Sequence, residues 1–387
     1  MTKNRTAITL STAALAVAVL GQTAVGYAAA NAVRVALFAQ NSGRVNDIQA
    51  SRTPMPGRLL ALNAKGQFPA SVVPTPTGAR GNGGSYTHTI VVHPDPDVGK
   101  AGIGLLNVLN RITDNSATNP YLVKIEPGVY HLGAASLPMK PYVDVEGSGE
   151  GVTTLTSTVS SGYGTVVGAD HSELRFLTVT NTGSGQQSVA LYADSTSPRF
   201  LHVTALASGG SENYGIHLSN GSPVLLNVTA SASGGGQSFG VANFNGVLKV
   251  TGSTLSASDA AGINVGLLTT FGGTTRIVSS TMTGSGGAVA IGMRSYNGSH
   301  SLQNVVATGT GSGESYGIRN GQKTSGPNVS VNQSRISGGT NSVFALGGSV
   351  KLGASQLTGP AAISELGTVV CVASYDGSFA PLGSNCG

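Results

Sequence analysis

The chain has 387 residues, of which 57 are glycine, none is tryptophan and 10% are charged. This composition suits thin, close-packed layers with tight turns and argues against a thick aromatic core. The formal net charge is +5, and most of the excess lies in residues 31–80, where six dispersed basic side chains face one acidic residue. Because no aromatic residues alternate with these charges, the sequence predicts no nucleic-acid partner.

The N-terminus has the pattern of a secretory signal. Two basic residues precede an apolar run over residues 7–25, and alanines at residues 28–30 offer a cleavage site. The pattern predicts a signal over residues 1–30 and a protein that is secreted or held at the extracellular face of the cell envelope. An alternative stays open, in which residues 7–29 remain as a membrane anchor, because the run approaches the ~20 residues that span a bilayer.

Residues 31–80 form a basic, proline-punctuated segment that ends in a linker. Its central part carries apolar, proline and small residues at fixed positions: Ile48, Ala50, Ser51, Thr53, Pro54, Pro56, Leu59, Leu60, Leu62, Gly66, Phe68, Pro69, Ser71 and Val72. This pattern resembles a module of phage tail-fibre and bacterial surface proteins. The resemblance implies an attachment or presentation role rather than chemistry.

A short strand and an apolar helix follow, and the helix is predicted from Ile103, Leu106, Leu109 and Ile112. Together with residues 121–130 and 143–149, they resemble the opening turns of the pectin-lyase-like superfamily, and of pectin methylesterases in particular. The resemblance implies a right-handed parallel β-helix whose open end is covered by the helix, which protects strand edges that would otherwise pair with other chains.

The resemblance to pectin methylesterases extends to residues 187–192, where Gln187 occupies the position of an amide that stabilises an oxyanion. Tyr192 replaces the arginine of that motif. The acid/base and nucleophile motifs of the family have no counterpart in this chain. Because an esterase needs both groups, the sequence predicts a groove without a competent esterase centre.

Short β-branched runs recur from residue 188 to residue 380, separated by Ser/Gly clusters. Leucine-rich repeats need a dense Leu/Asn consensus and helical repeats need long 3.6-residue periods, and neither is present. The repeat therefore predicts an all-β, single-stranded parallel β-helix of roughly ten coils over residues 81–375, with a tail over residues 376–387. We place one apolar anchor in each coil: Leu191, Ile216, Val241, Ile263, Ile291, Ile318, Val343 and Ile363.

Few carboxylates are candidates for catalysis. Asp170 and Asp194 align 24 residues apart, as do Arg175 and Arg199, which places each pair on adjacent coils about 5 Å apart. Two interpretations stay open: a carboxylate pair that serves a hydrolase or holds a cation, or side chains that cap turns beside solvated arginines. Scattered acidic residues are interpreted as solvated: Glu173, Glu212, Asp259 and Glu314. The seven histidines show no paired ligand spacing, so no metal and no cofactor is predicted.

Tyr214, Phe239 and Tyr316 occupy the same register just before three coil anchors. Aromatic rings on one outer face of a solenoid would stack on sugar rings, so these residues are candidates for glycan binding. The alternative is a ladder of rings inside the coil.

Cys371 and Cys386 are predicted to form a disulfide that fastens the tail over the last coil. The combined pattern favours an exported, non-catalytic interaction protein that binds a polysaccharide or cell-envelope glycan. The alternative is a polysaccharide-active enzyme, whether lyase, hydrolase or esterase. Association of three chains, as in tailspikes, stays open.

Overall fold

The computed structural model describes residues 85–387 except 161, 323–325 and 361, together with the backbone of three short strands nearer the N-terminus. The chain divides into two units, residues 1–85 and 86–387. In the first unit the strands form a small sheet, with one antiparallel and one parallel pairing: Arg44–Val45, Ile48–Ser51 and Leu59–Leu60.

The predicted signal, the alternative membrane anchor and most of the basic segment lie outside the described residues. No helix in the described part of the chain has the length and apolar character needed to cross a membrane.

The second unit is a parallel β-helix, which confirms the fold predicted from the repeat. Each coil passes through three parallel sheets, here named A, B and C, in that order. Sheet A has ten strands: Leu137–Pro138, Val166–Val167, Gln187–Asp194, Glu212–Ser219, Gln237–Phe244, Ile263–Thr270, Val289–Ser295, Glu314–Asn320, Asn341–Ala345 and Ile363–Ser364.

Sheets B and C share two long strands that bend through the corner between them, Glu173–Asn181 and Arg199–Ser208. The other strands of sheet B are His88–Val92, Tyr121–Ile125, Val143–Glu146, Val224–Leu226, Val247–Thr251, Thr274–Val278, Ser299–Gln303, Asn328–Asn332, Ser349–Gly353 and Thr368–Val372. The other strands of sheet C are Gly128–His131, Thr153–Ser157, Thr229–Ser233, Thr254–Ser258, Thr281–Ser285, Val306–Thr310, Arg335–Gly338, Gln356–Thr358 and Tyr375–Asp376.

Helix α1, Val98–Arg111, packs against the first coils, as expected for the pectin-lyase-like fold. The Asp97 side chain caps its N-terminus by accepting hydrogen bonds from two backbone amides of the first turn. Leu105 and Leu109 are fully buried, whereas Ile103, which we predicted on the apolar face, is 58% exposed. Gly102 permits the close approach, because a Cβ there would lie 2.0 Å from the carbonyl oxygen of His131.

Inside the coil, equivalent residues of sheet A stack in one apolar column: Leu191, Ile216, Val241, Leu267, Met293, Ile318 and Val343. The anchors predicted at Ile263, Ile291 and Ile363 were wrong, because their side chains belong to other positions. Ile263 and Ile291 pack in a second apolar cluster outside the core, and Ile363 is 47% exposed. Because sheet A carries apolar residues on both faces, the apolar pattern of the sequence could not show which residues point into the core.

The corners of the coil are satisfied by repeated polar side chains. Four Asn-Gly pairs lie at turns: Asn220 and Asn245 adopt positive φ of 54° and 58°, whereas in the other two pairs it is the glycines, Gly298 and Gly321, that do so. The Nδ2 of Asn245 donates to the Oδ1 of Asn220 on the preceding coil at 3.1 Å. At the corner between sheets B and C, serine hydroxyls accept hydrogen bonds from backbone amides of the preceding coil. For example, the amide of Ser253 donates to the Oγ of Ser280 at 3.1 Å. Each turn is therefore tied to the next.

The C-terminal tail covers the last coil. Cys371 and Cys386 form the predicted disulfide. The backbone amide of Cys371 donates to the carbonyl of Ser384, and that of Leu382 donates to the carbonyl of Ser374, each at 2.9 Å. Through these hydrogen bonds, the tail pairs with part of the open edge of the last coil.

An uncommon feature of the interior is His300, on the inner side of sheet B, which is 3% exposed. Its Nε2 lies 3.1 Å from the carbonyl oxygen of Asn297 and 3.3 Å from the Oγ1 of Thr269. Burial lowers the pKa of His300 to about 4. The ring is therefore neutral in the folded protein at pH 7.

We expect this histidine to make the protein less stable in acid. In the unfolded chain the ring takes up a proton below its ordinary pKa of 6.5, whereas in the folded chain it does so only near pH 4. Stability is therefore full above pH 6.5 and falls by about 3 kcal/mol as the pH drops to about 4. Urea unfolding across this range measures the loss. The His300→Gln variant should lose less over the same interval, and an equal loss would contradict the assignment.

Candidate functional site

The outer face of sheet A is set by a bend in each strand. In the strand Glu212–Ser219, Asn213, Ile216 and Leu218 are buried on the inner side, whereas Tyr214 and His217 point outward. The bend occurs at Gly215, where a Cβ would lie 2.8 Å from the backbone nitrogen of Ser231 in sheet C. Only a glycine fits so close an approach, and glycines recur at this position in the next four coils: Gly240, Gly266, Gly292 and Gly317.

A second apolar cluster, separate from the core, lies on this outer face. One column of it contains Val189, Tyr214, Phe239, Val265, Ile291 and Tyr316. The rings of Tyr214 and Phe239 stack with centroids 5.0 Å apart, as vertical neighbours. The three predicted aromatic residues are outside the core, but only 5–6% of each is exposed. They form a buried layer beneath the outer face of sheet A, here called its floor. Direct contact between these three residues and a ligand stays a prediction.

A more exposed line of rings crosses the same face, which we name the outer ring stripe. It takes one ring from each of five successive coils: Tyr163, Tyr192, His217, Phe244 and Phe271. Neighbouring centroids lie 5.8, 5.3, 4.8 and 6.1 Å apart. The two ends of the stripe are open to solvent, because Tyr163 is 60% and Phe271 70% exposed.

Sequence reasoning missed this stripe. Tyr192 and His217 are 25 residues apart and in register, which was a usable signal. Phe244 sits two positions later in its strand, and Phe271 lies in the turn after the next strand. An alignment of equivalent positions could not find a line that moves across the sheet.

His217 lies in the middle of the stripe, stacked between Tyr192 and Phe244. Burial lowers the pKa of His217 below its ordinary 6.5, although the nearby Asp194 opposes the shift. The imidazole therefore acts as a neutral flat ring at pH 7. Its Nδ1 is buried and has no hydrogen-bond partner in the described part of the chain.

The side chain of Gln187 is fixed by a hydrogen bond to the next coil. Its Nε2 donates to the Oε2 of Glu212 on the next coil at 3.2 Å, and the hydroxyl of Tyr214 donates to the same oxygen at 2.9 Å. Burial, reinforced by the carboxylate, raises the pKa of Tyr214 far above its usual range. Tyr214 therefore remains a hydrogen-bond donor at any physiological pH. The oxyanion role implied for Gln187 stays a prediction.

Asp170 and Asp194 have separate partners. An oxygen of Asp170 accepts the backbone amide of Ser197 at 2.8 Å. Asp194 ends its strand and accepts from Asn220 and Ser195, and these hydrogen bonds lower its pKa below the ordinary value. The register between these coils is 25 residues rather than 24, as Val167 pairs with Tyr192. Both carboxylates therefore hold turns in place, and a joint catalytic role stays a prediction.

Further along the same face, Arg294 and Arg319 lie directly one above the other in adjacent strands. The guanidinium of Arg294 lies 4.6 Å from the ring centroid of Tyr296, and that of Arg319 lies 5.2 Å from that of Tyr316. Glu314 is 3.8 Å from Arg319, and no carboxylate among the described residues forms a salt bridge with Arg294. Two stacked like charges repel, so this arginine pair is a place that attracts anions.

A buried ionic cluster lies on the outer side of sheet B, near the N-terminal end. Arg175 pairs with Glu173, and its Nε donates to Glu146 at 2.8 Å. Arg199 lies 3.3 Å from the second oxygen of Glu173. The expectation of a solvated Glu173 and Arg175 was wrong, since each is 3% exposed. Arg175 and Arg199 are not equivalent either, because Glu173 is the register partner of Arg199. The two arginines converge on one acid, which sequence spacing did not reveal.

Among the described residues, no group of three or more His, Cys, Asp or Glu side chains is placed to hold a metal ion. The outer face of sheet A thus offers rings, amides and guanidinium groups. Rings of this kind can stack on flat apolar surfaces, and guanidinium groups can pair with anions.

No protein-family model matches this chain, and no curated protein matches its sequence. Among solved structures, the ORF18 protein of Geobacillus virus E2 is similar, with a TM-score of 0.42 and 10% identity over 74% of this chain and 60% of the viral one. The A-module of the Azotobacter vinelandii mannuronan C-5 epimerase has a TM-score of 0.42 and 14% identity, over 73% of this chain and 88% of that one. Carrot pectin methylesterase has a TM-score of 0.40 and 13% identity, over 75% and 83%.

The contribution of the buried ionic cluster to stability can be tested by removing the charge of Glu173. The Glu173→Gln variant leaves Arg175 buried with one partner fewer, so we expect it to lower the free energy of unfolding by about 3–5 kcal/mol. The control is Glu126→Gln, which replaces a carboxylate 2.8 Å from the Nδ1 of His93 and should cost less than about 1 kcal/mol, because the side chains of Glu126 and His93 are 43% and 73% exposed. Urea unfolding of both variants measures the difference, and equal effects would contradict the burial of the cluster.

Proposed function

We propose that this chain is an exported β-helix protein that binds an acidic polysaccharide or cell-envelope glycan along the outer face of sheet A, without reacting with it. The observation that carries the proposal is the outer ring stripe, with one ring from each of five successive coils. Strands of neighbouring coils are separated by about 4.8 Å, so the face repeats along the solenoid axis. A repeating face suits a repeating ligand.

The physical basis of binding is the stacking of sugar rings on aromatic faces. Tyr, Phe and neutral His present flat apolar surfaces that lose little conformational freedom when a ligand covers them. Tyr163 and Phe271, at the two ends of the stripe, have the largest exposed surfaces. The buried rings of Tyr214 and Phe239 hold the floor beneath the stripe in one position.

The arginine pair supports an acidic ligand. A guanidinium group binds a carboxylate or sulfate through two parallel hydrogen bonds. Arg294 and Arg319 belong to the same outward column as Tyr192 and His217. A glycan that runs parallel to the axis would therefore meet rings first and cations farther along.

The carboxylates of this face support binding rather than turnover. Asp170 and Asp194 hold separate turns, and Glu212 accepts hydrogen bonds from Gln187 and Tyr214. None of these arrangements pairs an acid with a base across a cleft, as glycoside hydrolysis requires. The disulfide between Cys371 and Cys386 fits an oxidising compartment, which supports export.

The ring stripe is tested by glycan binding of the full chain. Affinity electrophoresis and calorimetry with polygalacturonate, alginate and neutral glucans should show binding. The Tyr192→Ala and His217→Ala variants should each weaken it at least about fivefold, by analogy with the stacking of a nucleotide base on an aromatic ring, which is worth about 1–3 kcal/mol. The control is His88→Ala, which removes a ring stacked on Tyr121 in sheet B and should leave affinity unchanged. Failure of every glycan to bind would refute the proposal. Product release that depends on Asp194, tested with Asp194→Asn, would replace it with an enzymatic function.

The arginine pair is tested by charge. Arg294→Gln and Arg319→Gln together should weaken binding of a polyuronate at least about tenfold and reduce its dependence on salt, because each removes an ionic contact worth about 1.5–3 kcal/mol. Binding of a neutral glucan should not change. The control is Arg276→Gln, which removes an exposed arginine of sheet B. Equal loss for the acidic and the neutral polymer would show that the arginines only support the fold.

A further inference from the structure

The interior of the coil contains polar side chains that the proposed function does not use. On the inner side of sheet A, Asn243, Thr269, Ser295 and Asn320 lie one above another in four successive coils. Facing them from sheet B are Thr275 and His300, which are register neighbours. All six are between 0% and 3% exposed. We name this set the interior polar column.

Five atoms of this column have no hydrogen-bond partner among the described residues: Asn243 Oδ1, Thr275 Oγ1, Ser295 Oγ, His300 Nδ1 and Asn320 Oδ1. Buried polar atoms are almost always paired, since an unpaired one forfeits its hydration. Of the eleven buried side-chain atoms without a partner among the described residues, five belong to this column. The interior polar column therefore needs a partner that is not a side chain.

The orientation of the column is fixed by its paired atoms. The Nδ2 of Asn243 donates to the carbonyl of Gly246, and that of Asn320 donates to the carbonyl of Gly347, each at 3.0 Å. Turning either amide over would break these bonds, so both unpaired oxygens are acceptors. His300 points its Nε2 at the carbonyl of Asn297, which can only accept, so its unpaired Nδ1 is an acceptor as well. Burial holds the pKa of His300 low, in agreement with a neutral ring.

A partner for these five atoms must donate hydrogen bonds to the three acceptors and be able to donate to, or accept from, the two hydroxyls. They are spread over three coil steps, about 14 Å along the axis at ~4.8 Å per step, and so do not converge on one point. No carboxylate belongs to the column to balance a cation. Water donates two hydrogen bonds and accepts two, and buried waters typically make about three.

We propose that the interior polar column binds a file of ordered water molecules, which donate to Asn243, His300 and Asn320 and bridge the hydroxyls of Thr275 and Ser295. This file lies behind the strands that carry the arginine pair, because Ser295 follows Arg294 and Asn320 follows Arg319 in the chain.

The test combines a stability measurement with a crystal structure of the full chain. Thr275→Val keeps the shape of the side chain and removes its hydroxyl. If waters bond to that hydroxyl, the variant should melt a few degrees lower than the parent. If the column is dry, removing an unpaired hydroxyl should raise the melting temperature, which would overturn the proposal. Thr274→Val, at the exposed neighbouring position, is the matched control and should leave the melting temperature unchanged.

The crystal structure gives a result that does not depend on a variant. Ordered water density within hydrogen-bonding distance of at least the three acceptors is the expected result. A column without density, or one in which the five atoms pair with one another, would overturn the proposal. So would a single ion revealed by anomalous scattering after a rubidium soak.

Discussion

Parallel pairing between successive coils is the constraint on which the rest of the structure depends. Because each strand lies about 4.8 Å above its equivalent, a residue type that recurs once per coil becomes a column. The apolar column of Leu191 and Ile216 fills the core, the serines at the corner between sheets B and C tie one turn to the next, and the glycines at and after Gly215 let two sheets approach. Any surface on such a molecule is a set of columns, and its ligand is best a chain with a matching repeat.

The two ends of the solenoid need separate solutions, since pairing stops there. At the N-terminal end, helix α1 buries Leu105 and Leu109 over the first coils, with Gly102 allowing close contact. At the C-terminal end, the tail donates and accepts backbone hydrogen bonds and is fixed by the disulfide. Both devices cover part of the strand edges that would otherwise recruit other chains.

The sequence predicted the features that depend on periodicity and on local chemistry. The solenoid, the apolar helix and the disulfide followed from repeat spacing, apolar pattern and cysteine count, whereas the capping position of the helix followed from the family resemblance. The shared register of Tyr214 and Phe239 also followed from the repeat. The sequence failed where side chains from different positions meet. The convergence of Arg175 and Arg199 on Glu173, and the oblique line from Tyr192 to Phe271, depend on how far each strand extends and where it bends. A bend that places Ile216 inward beside Gly215 breaks the simple alternation of a strand, so the apolar pattern alone misassigned Ile263 and Ile291.

The central claim is that the outer face of sheet A is where this protein holds a glycan. The most direct measurement is a crystal structure of the chain with an acidic oligosaccharide long enough to reach from Tyr163 to Arg319. The account predicts sugar rings stacked along the stripe from Tyr163 to Phe271 and an acidic group within hydrogen-bonding distance of Arg294 or Arg319. An oligosaccharide bound to sheet B or sheet C, with the outer face of sheet A left bare, would contradict it.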